Sequence, residues 1–161
     1  NKQELFIAVV DKFWFSTQNP RNKFTETNGT FAEFIDEYVR GVQRTMDMLG
    51  DLIGAEREKV AQGKFTYHAQ YFHFLFQLLQ YDPDAKEKLR NLVDGDYAYW
   101  RAAIQRAIAT GELREDVDVE DAVVMFRQVY MGLSFEMAFM GGLNTQRLAK
   151  HLHAVYSLLK R

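Results

Sequence analysis

The sequence predicts an all-α fold, a bundle of about five to six helices. Three observations carry this: apolar residues recur at three- and four-residue spacing along most of the chain, no stretch alternates apolar and polar residues over the length of a strand, and only Pro20 and Pro83 interrupt the periodic runs. At 161 residues the chain fits one domain, and 47% hydrophobic with 26% charged residues is the composition of a folded protein.

The elements follow in order. Asn1 and Glu4 form a capping box ahead of Leu5, Phe6, Val9, Val10 and Phe13, so the first helix starts at once and ends before Pro20. Thr30 and Glu33 repeat the box before a second helix with the stripe Phe31, Phe34, Ile35, Tyr38, Val42, Met46, Leu49 and Ile53. Gly50, Gly54 and the polar run 56–64 leave its end open between a kink, a short helix and a loop. A third helix, from about Thr66 to Tyr81, is apolar nearly all round, with Tyr67, Tyr71, Phe74 and Leu78 on one side and Phe72, Phe76 and Leu79 on the other. That pattern predicts a central position.

Asp82 is placed to cap a fourth helix with Pro83 at its first position, and Leu89, Val93, Tyr97, Trp100, Ile104 and Ile108 line that helix up to Gly111. Asp118, with Asp121 three residues on, opens a fifth helix. Its main face is Val119, Ala122, Val123, Phe126, Val129, Tyr130, Leu133 and Met137. A second stripe, Val124, Met131, Phe135, Ala138 and Phe139, predicts contact with a partner as well as with its own core. Gly141-Gly142 end it, and a last helix starts at Asn144, with Leu143 and Leu148 placed as a hydrophobic staple and Leu148, Leu152, Val155 and Leu159 in line. The expected homodimer seam is a four-helix interface between the last two helices and their copies, built from Val124, Met131, Phe135, Phe139, Leu148, Leu152, Val155 and Leu159.

Thirteen Phe, eight Tyr and two Trp, 14% of the chain, point to a dense aromatic core or a ring-lined cavity. Candidate cavity residues are Tyr38, His68, Tyr71, Phe74, Gln77, Trp100, Phe126 and Tyr130. Polar residues set into the apolar helices, His68, Gln70, His73, Gln77, Gln128 and Glu136, need partners if buried, and Glu136 is the sharpest case.

Several function classes lack their signature. A net charge of −2 without a basic cluster gives no footprint for phosphate backbones. No basic start with an apolar run marks a signal peptide, and no uncharged apolar run reaches the roughly 18 residues of a membrane span, so the cytoplasm is the expected compartment. His68 and His73 diverge around a helix, as do His151 and His153, and neither Glu-x-x-His nor His-x-x-x-His occurs, so no metal is expected. There is no Cys, no Gly-x-Ser-x-Gly elbow and no Gly-rich phosphate loop. Ser134 has no histidine at helical spacing, and Asp116 with Asp118 reads as a solvated capping turn. No enzyme and no cofactor are expected.

Asn1-Lys2-Gln3-Glu4-Leu5-Phe6-Ile7-Ala8-Val9-Val10 resembles the stretch that follows the recognition helix in TetR-family (tetracycline-repressor-like) transcriptional regulators. Ala107-Ile108 and Gly111-Glu112-Leu113-Arg114-Glu115-Asp116-Val117-Asp118 resemble that family's loop into its dimerisation helices. The resemblance implies a ligand-binding and dimerisation domain: residues 1–19 a connecting helix, 30–110 the pocket helices and 118–161 the dimerisation helices. It implies an apolar or aromatic small-molecule effector. It also implies that DNA is reached only through an N-terminal helix-turn-helix, which this chain is expected to lack. The alternative is a helical protein–protein interaction module without a ligand.

Overall fold

Capping chemistry fixes most of the helix ends. The computed structural model describes residues 1–24, 29–48 and 71–161 in full, and the backbone of 49–52 and 67–70. Six helices follow one another in that part. Helix α1 opens as Lys2–Val9, passes through a π-helical turn at Val10–Trp14 and ends with Phe15–Thr17. A short 3₁₀ turn, Pro20–Asn22, follows. Then come α2 (Phe31–Leu52), α3 (Tyr67–Tyr81), α4 (Ala85–Ala109), α5 (Val119–Met140) and α6 (Thr145–Leu159). The described residues contain no strand; Leu113 and Lys160 form one isolated antiparallel bridge.

The expected caps of α1, α2, α5 and α6 are present. Asn1 accepts from Glu4 N at 2.9 Å and Thr30 from Glu33 N at 3.2 Å, and in both boxes the glutamate returns the bond. Asp118 accepts from Asp121 N at 2.9 Å, and Asn144 from Arg147 N at 3.1 Å. Gly141, at φ +116°, closes α5 in the left-handed conformation that a side chain would resist. The start of α4 departs from expectation. Asp82 bonds Asp84 N at 2.9 Å, so Asp82 and Pro83 form a turn outside the helix, and α4 begins at Ala85 with Asp84 before it.

The centre of the bundle is α5, which packs against α3, α4 and α6, while α2 lies chiefly on α6. The third helix is not central. It buries Leu78 but leaves Phe76 and Leu79 exposed, because its neighbours cover only one side. The main core is aromatic: Trp100 stacks on Phe126 with centroids 4.9 Å apart and planes 7° apart, and Phe34 and Tyr38 meet it edge-on at 5.0 and 4.9 Å. A second cluster, Val10, Trp14, Leu78 and Ala85, fastens α1 to α3 and α4. Phe74 belongs there, 5.6 Å from the Trp14 ring.

Candidate functional site

A crevice opens where α2, α3 and α5 meet the end of α1. Gln18 comes from the cap of α1, Val42, Thr45 and Met46 from α2, Tyr71 and Phe72 from α3, and Tyr130, Met131 and Ser134 from α5. The spacings 42, 45, 46 and 130, 131, 134 each put three residues on one helical face, so α2 and α5 present matching walls. The crevice has ≈ 10 Å³ of room for water-sized molecules, about what one water needs.

Beneath it lies a buried ion cluster. Lys23, Asp96 and Arg127 keep only 6%, 5% and 9% of their side-chain surface exposed. Lys23 Nζ stands 3.9 Å and Arg127 Nη2 3.6 Å from the same oxygen, Asp96 Oδ2. Both distances exceed ordinary N–H···O hydrogen bonds, so the pairing is ionic and loose. Asp96 Oδ1, Arg127 Nε and Nη1, Tyr38 OH and Ser134 Oγ have no hydrogen-bond partner among the described residues. Tyr130 joins crevice and cluster: its ring lines the first, and its centroid lies 5.7 Å from Lys23 Nζ and 5.2 Å from Arg127 Cζ. Burial pushes the Tyr38 phenol well above its usual range and raises that of Tyr71, the Tyr130 phenol adding to both, so each keeps its proton at neutral pH. At Arg127 burial works against the charge, but Tyr38 and Asp96 outweigh it and hold the guanidinium above its usual pKa.

Of the expected cavity residues, Tyr71 and Tyr130 line the crevice, and Tyr38, one turn before Val42 on α2, is buried in the main core with its ring 5.9 Å from that of Tyr130. Trp100 and Phe126 are stacked in the closed core, and Phe74 sits in the α1 cluster, so these three are packing residues. Gln77 is half-buried on α3 without reaching the crevice, and the side chain of His68 lies outside the described residues. Of the polar residues flagged on apolar helices, Gln128 and Glu136 are exposed. Their phase on α5 differs from that of Arg127 and Ser134, which are the buried ones.

Lys23, Asp96 and Arg127 were not among the expected site residues, yet two of them are legible in principle. Asp96 stands four residues before Trp100, and Arg127 four after Val123, both in core phase and opposite in sign. Lys23 sits in a loop, where helical phase gives no signal.

The expected dimer seam divides. Leu148 and Leu152 are fully buried within this chain, and Val155 and Leu159 pack half-buried on the same core. The leucine line of α6 therefore faces inward, because α2 needs that apolar cover. Met131 lines the crevice. Val124, Phe135 and Phe139 remain exposed on α5 at 45%, 48% and 71%, and a Cβ added at Gly132 on that face would meet nothing within 4 Å. Among the described residues no group of three His, Cys, Asp or Glu could hold a metal, and no helix is long and apolar enough to cross a membrane.

Among the described residues, six helices form a bundle with a mixed polar and apolar crevice at the junction of three of them. Residues 42–152 match the family model described as tetracyclin repressor-like, C-terminal domain, and the chain belongs to that family. Membership makes it a regulatory ligand-binding and dimerisation domain of a transcription regulator. No curated protein and no solved structure matches the chain.

Proposed function

We propose that this domain senses a small molecule with an apolar body in the crevice between α2, α3 and α5, and that it signals to a helix-turn-helix through α1. The single observation that carries the reading is the position of Gln18. It closes the crevice from the end of the helix that would lead to the DNA-binding unit, so widening the crevice pushes on α1. An effector acts only by favouring one position of α1 over another, since equal affinity for both shifts nothing. Met46 and Met131 suit such widening, because unbranched side chains repack at little cost. The exposed face of α5, Val124, Phe135 and Phe139, is the part that pairs with a second copy.

The test is thermal unfolding of the domain against a panel of aromatic and aliphatic compounds, with Ser134→Trp as the variant that fills the crevice. Stabilisation by some compounds, lost in Ser134→Trp, supports the reading. An interaction module without a ligand is favoured by one fact, that the crevice has room for about one water. Absence of any thermal shift across the panel would leave that reading in place.

A further inference from the structure

We propose that the ligand of this crevice is an organic monoanion, a carboxylate on an apolar body, whose charged end is received by Arg127 with Tyr38 and Lys23. The proposal rests on the effector-site reading above and narrows it to a chemical class.

The first step is charge. Two cations, Lys23 and Arg127, share one carboxylate, Asp96, with all three side chains at least nine-tenths buried, so among the described residues the cluster carries one formal positive charge out of water. An uncompensated buried charge is strongly unfavourable, and an anion of charge −1 would cancel it. A dianion would overshoot and meet Asp96 at close range.

The second step is donors. Arg127 Nε and Nη1, Tyr38 OH and Ser134 Oγ are without partners among the described residues. Arginine matches carboxylate geometry through its planar fork, and the phenol beside it adds a further donor. Because burial keeps the Tyr38 phenol protonated, it remains a donor throughout the physiological range.

The third step is reach. On α5, Arg127 precedes Tyr130, Met131 and Ser134 by three, four and seven residues. On α2, Tyr38 precedes Val42 and Thr45 by four and seven. These spacings put Arg127 and Tyr38 on the helix faces that line the crevice, one turn along from it, and the Tyr130 ring that lines it touches both Arg127 and Lys23. A carboxylate at the inner end would leave its apolar body against Val42, Met46, Phe72 and Met131, which an inorganic anion would leave uncovered.

The test is calorimetric titration of the domain with matched pairs, benzoate, phenylacetate and hexanoate against their neutral amides, up to millimolar concentration. Acids are expected to bind and amides to bind at least about tenfold more weakly, the loss of one hydrogen bond to a charged group. Arg127→Met should weaken acid binding by at least about tenfold, while Phe76→Ser, at an exposed position on α3, should leave it unchanged. Should Arg127→Met fail to fold, Tyr38→Phe replaces it. That variant removes a hydroxyl without a partner among the described residues, so stability of the free domain is kept and acid binding alone falls. Equal binding of acids and amides, or full acid affinity in both variants, overturns the anion proposal and leaves the effector site standing. Failure of both classes to bind or to raise the unfolding temperature overturns the two together.

Discussion

The backbone of Lys23 lies so close to Gly41 that a Cβ on this glycine would fall on the Lys23 carbonyl oxygen. The loop between α1 and α2 is thereby seated on α2, and Lys23 is aimed at Asp96. A second close approach supports the same loop: a Cβ at Gly95 would come within 2.8 Å of the Pro20 ring. Glycine is otherwise a poor helix residue, so Gly41→Ala sets a propensity gain of about 1 kcal/mol against displacement of a packed backbone. The clash is with main chain, which yields less than a side-chain tip. We expect Gly41→Ala to lower stability by about 1–3 kcal/mol, read as a lower urea midpoint.

Glu112 shows what the loop motif after Gly111 does. Its carboxylate accepts from Phe31 N at 2.7 Å, from Ala32 N at 3.3 Å and from Tyr156 OH at 2.9 Å, capping the start of α2 from a loop 80 residues away in sequence. Its backbone carbonyl accepts from Arg161 N at 3.1 Å. The negative charge also suits the positive end of α2. Glu112→Ala would leave two partly buried N–H groups without acceptors and should destabilise by about 1–3 kcal/mol. Glu112→Gln keeps one acceptor oxygen but loses the charge and puts an amide NH2 where the other oxygen accepts, so it should lose less than the alanine variant but still at least about 1 kcal/mol. Equal losses in denaturant unfolding would show that one neutral oxygen recovers nothing and that the charged carboxylate carries the whole contribution.

The two capping results mark the boundary of what sequence reading reaches here. Caps within a few residues of their helix, such as Asn1, Thr30, Asp118 and Asn144, follow from spacing. Glu112 does not, because its partners come together only when the loop, α2 and α6 pack. The same reason separates the described helices, legible from periodicity, from the site. Tyr71 and Tyr130 stand out as aromatic residues on inward stripes, whereas Lys23, in a loop, meets Asp96 and Arg127 only through tertiary contact. Apolar stripes also say which face is buried without saying by what. Leu148 and Leu152 satisfy both a core and a dimer seam until α2 is seen to cover them.

Lys88 makes stability depend on pH. Its ammonium donates to Asp11 at 2.7 Å and Asp82 at 2.9 Å, joining α1 to the turn before α4. Burial alone would raise the Asp82 pKa, but the Lys88 ammonium and the Asp84 N–H outweigh it, and the net shift is downward. A carboxylate with a depressed folded pKa contributes stability that is complete above its unfolded value, near 3.8, and is lost as pH falls through the folded one. Lys88 has the opposite sign. Burial works against its charge, the bonds to Asp11 and Asp82 raise its pKa above 10.5, and its contribution is lost as pH climbs through that raised value. Lys88→Met should therefore move the acid unfolding midpoint to higher pH, followed by circular dichroism. An unchanged midpoint would mean that the pair does not couple to folding.

Core and interface roles on the last two helices separate by experiment. Leu152 is fully buried in its own chain, so Leu152→Ala should lower stability by about 2–5 kcal/mol through transfer and cavity terms. Phe139, 71% exposed at the end of α5, touches Phe135, with centroids 5.1 Å apart. Phe139→Glu should leave the fold of one chain intact. If the exposed face of α5 pairs with a copy, the new carboxylate is buried against an apolar surface and dimer affinity falls at least about tenfold. Sedimentation equilibrium across a concentration series reads that change directly. A dimer of undiminished affinity in Phe139→Glu would move the seam away from this end of α5, to Val124 and the outward side of α6.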